Sequence, residues 1–129
     1  MLARPACLAS PDALTAASPA ELATAVLFAG YSAQVDALER RVSVDELMVA
    51  IAQSMNLFAG IKPNSFKWFE ALSSDPMTQL KLVVMEGIIF AEQRLCLWRD
   101  PHGASSTSLV LLRRGRAVLL GGDPGAYLG

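Results

Sequence analysis

Charge is scarce in this sequence. Of its 129 residues 18% are Asp, Glu, Lys or Arg, against about 25% in an average soluble domain, and 53% are hydrophobic, with a mean hydropathy of +0.37. The net charge is −1, which gives no global argument for nucleic acid or an anionic membrane as the main partner. Histidine is almost missing. His102, the only one, has no Cys or His neighbour at ligand spacing, so no metal site and no cofactor is expected. Cysteine is limited to Cys7 and Cys96, one near the N-terminus and one inside an apolar run, and both read as reduced thiols of a cytoplasmic protein.

Long apolar runs are missing as well. No stretch reaches the 18 or so uncharged apolar residues that a membrane span needs. Residues 1–17 are interrupted by Pro5, Ser10, Pro11 and Asp12, which excludes the continuous apolar segment of a signal peptide. They are expected to form a flexible or loosely docked tail with one helical turn from Pro11 to Ala16. A single α+β domain is expected over 18–129, a length that supports one core.

What the sequence has in quantity is helix-start chemistry. Ser18-Pro19-Ala20-Glu21 and Ser43-Val44-Asp45-Glu46 both carry the capping-box pattern, in which hydroxyl and carboxylate satisfy each other's orphan amides. Apolar residues then recur every three or four positions, predicting helices over 18–41, 44–59, 64–73 and 76–92. The third contains Phe66, Trp68 and Phe69, read as core aromatics. The fourth is apolar on nearly all sides (Leu80, Leu82, Val83, Val84, Met85, Ile88, Ile89), which predicts a central position; a strand from Gly87 is the competing assignment.

From Arg94 the period shortens. Strands are expected over 94–99, 107–113 and 116–120, joined by a turn at Asp100-Pro101-His102-Gly103 and a hairpin turn at Arg114-Gly115. The expected fold is therefore about four N-terminal helices packed on a C-terminal three-stranded antiparallel β-meander. Leu109 and Leu111 would lie on one face of the middle strand and Val110 and Leu112 on the other. A half-exposed sheet normally alternates apolar with polar, so both faces of this one call for cover.

The candidate partner-binding residues follow from that picture: Leu109 and Leu111 on the sheet face, Arg113, Arg114 and Arg116 at the hairpin tip, and Trp98, which either plugs the core or anchors an interface. No catalytic, cofactor or metal residues emerge. Neither cysteine starts a helix that would depress its pKa, and His102 has no partner for nucleophilic catalysis, which leaves an enzyme only as a shared-site oligomer. The expected function is a non-enzymatic interaction module, an adaptor, small chaperone or regulatory subunit, binding a protein partner or itself through an apolar sheet face or edge. A homo-oligomer is the expected assembly. The alternative is a winged-helix DNA-binding regulator, in which the helix from Asn64 would enter the major groove and the arginine-tipped hairpin would touch phosphates. Lys67 is the sole cation that helix offers.

Overall fold

The computed structural model describes residues 1–35, 41–62, 64–101 and 108–128. Among them the chain forms α1 (Pro11–Thr15), α2 (Pro19–Tyr31), β1 (Arg41–Ser43), α3 (Val44–Ser54), α4 (Phe66–Leu72), α5 (Asp75–Gln93), β2 (Leu97–Asp100), β3 (Ser108–Leu111), α6 (Arg113–Gly121) and α7 (Gly125–Leu128). The architecture is α+β. Parts of the predicted turn at 100–103, the first residue of the predicted second strand, and positions 36–40 of the predicted first helix lie outside the described residues, and Arg41, its predicted last residue, is in β1.

Both capping boxes are present. Ser18 accepts from the Glu21 amide while the Glu21 carboxylate accepts from the Ser18 amide, and Ser43 and Glu46 repeat the arrangement. The Ser18 amide, with the Ser18 side chain, holds the Glu21 carboxyl below its ordinary pKa. The first helix runs through Gly30 and stops at Tyr31, followed by a single 3-10 turn (Ser32–Gln34). The second stops at Ser54 rather than 59, because Asn56 takes the left-handed conformation (φ 59°) that closes its last turn.

The order of centrality differs from the one expected. The helix enclosed on all sides is α2, in which Leu22 through Leu27 are consecutively buried. It is rich in Ala, so its neighbours can approach closely. α5 crosses it at Gly87, where a Cβ would stand 2.8 Å from both the carbonyl carbon and the oxygen of Leu22. The same α5, expected at the centre, leaves Leu82 and Ile89 in solvent at 67% and 46% exposure. Gly87 is helical, and the competing strand is not formed.

The sheet is three-stranded and antiparallel, but one of its strands is not the expected one. Its order is β1-β3-β2, with Val42 opposite Leu109 and Leu97 opposite Leu111. The predicted strand over 116–120 and the hairpin turn at Arg114-Gly115 are instead the helix α6. The reason is packing periodicity. Gly115, Val118 and Leu119 recur at helical spacing and all three are buried. Gly115 lies within the helix and lacks the positive φ that a two-residue hairpin turn would use. Its bare Cα lets α6 rest on the chain before β2, since a Cβ there would come within 2.5 Å of the Cys96 oxygen. The third strand is β1, three residues just ahead of the second capping box, too short to carry any alternation.

Val42, Leu97 and Leu109 face the helices and are buried. The Tyr31 hydroxyl at the end of α2 donates to the Leu109 carbonyl (2.8 Å), tying central helix to central strand. On the outer face Arg41 of β1 pairs with Asp100 of β2 across the middle strand. Residues 1–17 are docked against the domain. Leu8 and Leu14 are buried, the Leu2 amide donates to the Leu119 carbonyl (2.8 Å), and the Arg4 guanidinium donates to the carbonyls of Leu8 and Ser54. The helical turn expected at Pro11 is α1, started by the Ser10 hydroxyl. Among the described residues no helix is long and apolar enough to cross a membrane.

Candidate protein-binding surface

α4 is a short helix with conflicting demands on its faces. Ser65 caps it by accepting from the Trp68 amide. Trp68 then turns inward and packs on Phe58, ring centroids 4.7 Å apart. In seven residues at 3.6 per turn, the face that holds Trp68 and Leu72 cannot also hold Phe66 and Phe69. Those two point outward, 81% and 56% exposed. Ser73-Ser74-Asp75-Pro76 next starts α5, which sets Met77 beside the end of α4.

Between α3, α4 and α5 lies a groove of about 450 Å³. Its walls include Met48, Phe69, Leu72 and Met77, and its rim carries Asp45 and Lys81. Methionine supplies an adaptable apolar lining of the sort found on surfaces that accept varied partners. One turn beyond Thr78, a further lining residue, α5 presents Leu82, and seven residues later Ile89 continues the same face. The large apolar side chains exposed on this side thus come from two successive helices. Scattered single apolar residues are ordinary on a protein surface; of the exposed ones here, Phe69 lines the groove, Phe66 lies one turn before it on α4, and Leu82 follows the lining residue Lys81 on α5.

The residues expected to bind a partner are distributed differently. Leu109 is fully buried on the inward face of the sheet, and Leu111 is half-buried beneath α6, where its Cδ1 would lie 2.7 Å from a Cβ on Gly115. Both are core-facing, because the helices cover the face they share. Trp98 is on the opposite face at 47% exposure, beside Val110, which is buried. The arginines do not form a hairpin tip. Arg113 is exposed at the start of α6, whereas Arg114 lies over the Tyr127 ring at 5.2 Å and donates to the Tyr127 carbonyl (3.5 Å), and so fastens α7. Arg116 is half-buried. The predicted hairpin at Arg114-Gly115 is thus replaced by α6, and the antiparallel pair β2–β3 is the one formed between sequence neighbours.

Hydropathy alone places Phe66, Phe69 and Leu82 in the core, and one signal in the sequence points the other way: four large apolar residues at 66, 68, 69 and 72 cannot share one side of a two-turn helix.

A second concavity, about 280 Å³, is lined by Cys7, Ala20, Glu21, Thr24 and Leu128 among others. Burial, with the nearby Glu21 carboxylate, raises the Cys7 thiol pKa, and burial raises that of Cys96 against the opposing pull of Arg114. Both thiols are free and buried, hence poor nucleophiles. Among the described residues no three His, Cys, Asp or Glu side chains gather as metal ligands. No protein-family model, curated protein or solved structure matches the chain.

Proposed function

We propose that this chain is a non-enzymatic protein-interaction module, an adaptor, small chaperone or regulatory subunit of the cytoplasm, that binds protein through the α4–α5 face. The observation that carries the reading is the exposure of Phe66, Phe69 and Leu82 on α4 and α5, with Phe69 in the wall of a groove also lined by Met48, Leu72 and Met77. Their exposure has a cost in water, about 25 cal/mol for each Å² of apolar surface, that a partner would relieve. Two free, buried thiols accord with a reducing compartment.

The test is an environment-sensitive hydrophobic dye titrated into the native protein, alongside a Phe66→Ser/Phe69→Ser variant. Native protein should bind the dye, and the variant should lose most of the signal while keeping its unfolding midpoint, since both side chains are largely in solvent. Binding should be nearly insensitive to salt. A native protein that ignores the dye, or that instead binds duplex DNA with a steep salt dependence, would sink the reading and favour a regulator.

A further inference from the structure

We propose that the cavity beside Cys7, between the N-terminal segment, α2 and α7, is a binding site for a small organic ammonium ion: an apolar ring or branched chain that bears one protonated amine. The site lies apart from the α4–α5 face and stands independently of protein binding there.

The cavity, about 280 Å³, separates the 3-10 turn Ala6–Ala9 from the first two turns of α2 and from α7. Leu8, fully buried, anchors that turn, while the residues that meet across the gap, among them Cys7, Ala20 and Pro124, are too small to fill it. A cavity of about 150 Å³ admits benzene. This one therefore has room for a ring with a short side chain, and not for a helical peptide.

The ligand's polar chemistry follows from what the lining has left over. The Thr24 hydroxyl donates to the Ala20 carbonyl (2.8 Å) and the Cys7 thiol to the Glu21 carbonyl (3.7 Å), so both side-chain donors in the lining are used within the fold. Acceptors remain. Thr24 Oγ1 keeps lone pairs, and so does the Glu21 carboxylate, whose donors come from Ser18. Glu21 is also the one charged residue among the described lining, and its lowered pKa leaves it ionised at neutral pH. Its charge is felt within the cavity: burial, and after it the Glu21 carboxylate, raises the pKa of the Cys7 thiol. An apolar body with a cationic donor matches this inventory, whereas a carboxylate or phosphate would meet a like charge with no cation to offset it. Because Glu21 is exposed, the ion pair contributes modestly, about threefold in affinity. The apolar body supplies the rest, and a ligand of about nine heavy atoms is expected to dissociate on the order of 0.1–1 mM.

Phenethylammonium chloride titrated into the full chain near neutral pH, followed by amide proton–nitrogen correlation spectra, tests the proposal. Shifts should saturate at Cys7, at Ala20 to Thr24 and at Gly125 to Leu128. Phenethyl alcohol should bind about threefold more weakly, and phenylacetate more weakly still. Glu21→Gln keeps the capping box, since glutamine serves there as glutamate does, and should bind amine and alcohol alike. Ala20→Phe should fill the cavity and abolish both; if that variant does not fold, the shift map and the Glu21→Gln comparison decide. No saturable shifts up to about 10 mM, shifts confined to another face, equal affinity for phenylacetate, or a Glu21→Gln chain that still prefers the amine overturns the proposal.

Discussion

Replacing Gly87 by alanine sets two effects of known sign against each other at the centre of the molecule. In an exposed helix interior alanine is preferred over glycine by about 0.5–1 kcal/mol, because glycine loses more backbone freedom on folding. At Gly87 the added methyl would lie 2.8 Å from the carbonyl carbon and oxygen of Leu22, and 3.0 Å from its Cβ. The obstacle is backbone of a buried helix, which cannot swing aside as a side-chain tip can. α2 and α5 must separate by several tenths of an ångström along a tightly packed contact, and overpacking of this kind costs about 1–3 kcal/mol. The expected net is a loss of about 1–2 kcal/mol. Urea unfolding should show it as a lower midpoint at unchanged slope, and a thermal melt as a fall of about 3–8 °C. Gly121→Ala is the internal control. Gly121 is the last residue of α6 and has no positive φ, and a methyl added there would meet no heavy atom within 4 Å, so only the conformational effect acts and stability should rise by a few tenths of a kcal/mol. If Gly87→Ala were as stable as the control, the close α2–α5 crossing would be wrong.

Leu95 occupies the left-handed position after α5 (φ 61°), where its amide and that of Cys96 bond back to Glu92 and Ala91, and its side chain is 62% exposed. Leu95→Gly should relieve about 1–2 kcal/mol of strain against about 0.5–1 of added chain entropy, a net gain near 0.5–1 kcal/mol in urea unfolding; destabilisation would contradict the geometry. Tyr31→Phe removes a buried 2.8 Å hydrogen bond to Leu109 and should cost about 1–2 kcal/mol, with amide exchange in β3 accelerating; unchanged stability and exchange would refute the link. Raised thiol pKa values at Cys7 and Cys96 mean that the folded chain holds protons the unfolded chain releases first. Their contribution is therefore complete below the unfolded thiol pKa of about 8.5 and is lost as pH rises through the higher folded values. The unfolding midpoint should drop between pH 8 and 10, and the Cys7→Ala/Cys96→Ala variant should show a smaller drop; equal drops would remove the thiols as the cause.

The legible parts of this fold are those written in local chemistry. Ser18, Glu21, Ser43 and Glu46 mark two helix starts because a capping box is decided within four residues. Pro76 and the apolar run after it mark α5 for the same reason. What depends on long-range packing is not legible. A helix rich in alanine, α2, is the enclosed one because small side chains permit close approach, whereas α5, which carries more of the large aliphatic side chains, is left partly in solvent. Hydropathy measures what a residue would gain by burial, not whether neighbours arrive to bury it. The sheet's strand β1 is hidden for a related reason, since three residues paired with β3 carry no period of their own.

The segment from Arg113 to Gly121, a strand by pattern and a helix in fact, shows where such ambiguity arises and what resolves it. Ala117 to Leu120 is a short apolar run, and such a run fits a buried strand or a buried helix equally on periodicity. The decision falls to Gly115. As a hairpin residue it would have left Leu111 and Leu119 on a continued sheet; as a helical residue buried against the Cys96 carbonyl it folds the chain back over Leu111 instead. That one choice closes the sheet face on which partner binding was expected and seals Leu109 beneath the helices. The unsatisfied apolar surface is thereby displaced to α4 and α5, where Phe66, Phe69 and Leu82 remain in solvent. Double-sided apolarity in the C-terminal third thus resolves into internal cover on the inner face, while Trp98 on the outer face stays 47% exposed, and the most exposed aromatics, Phe66 and Phe69, lie on a helix that hydropathy alone would place in the core.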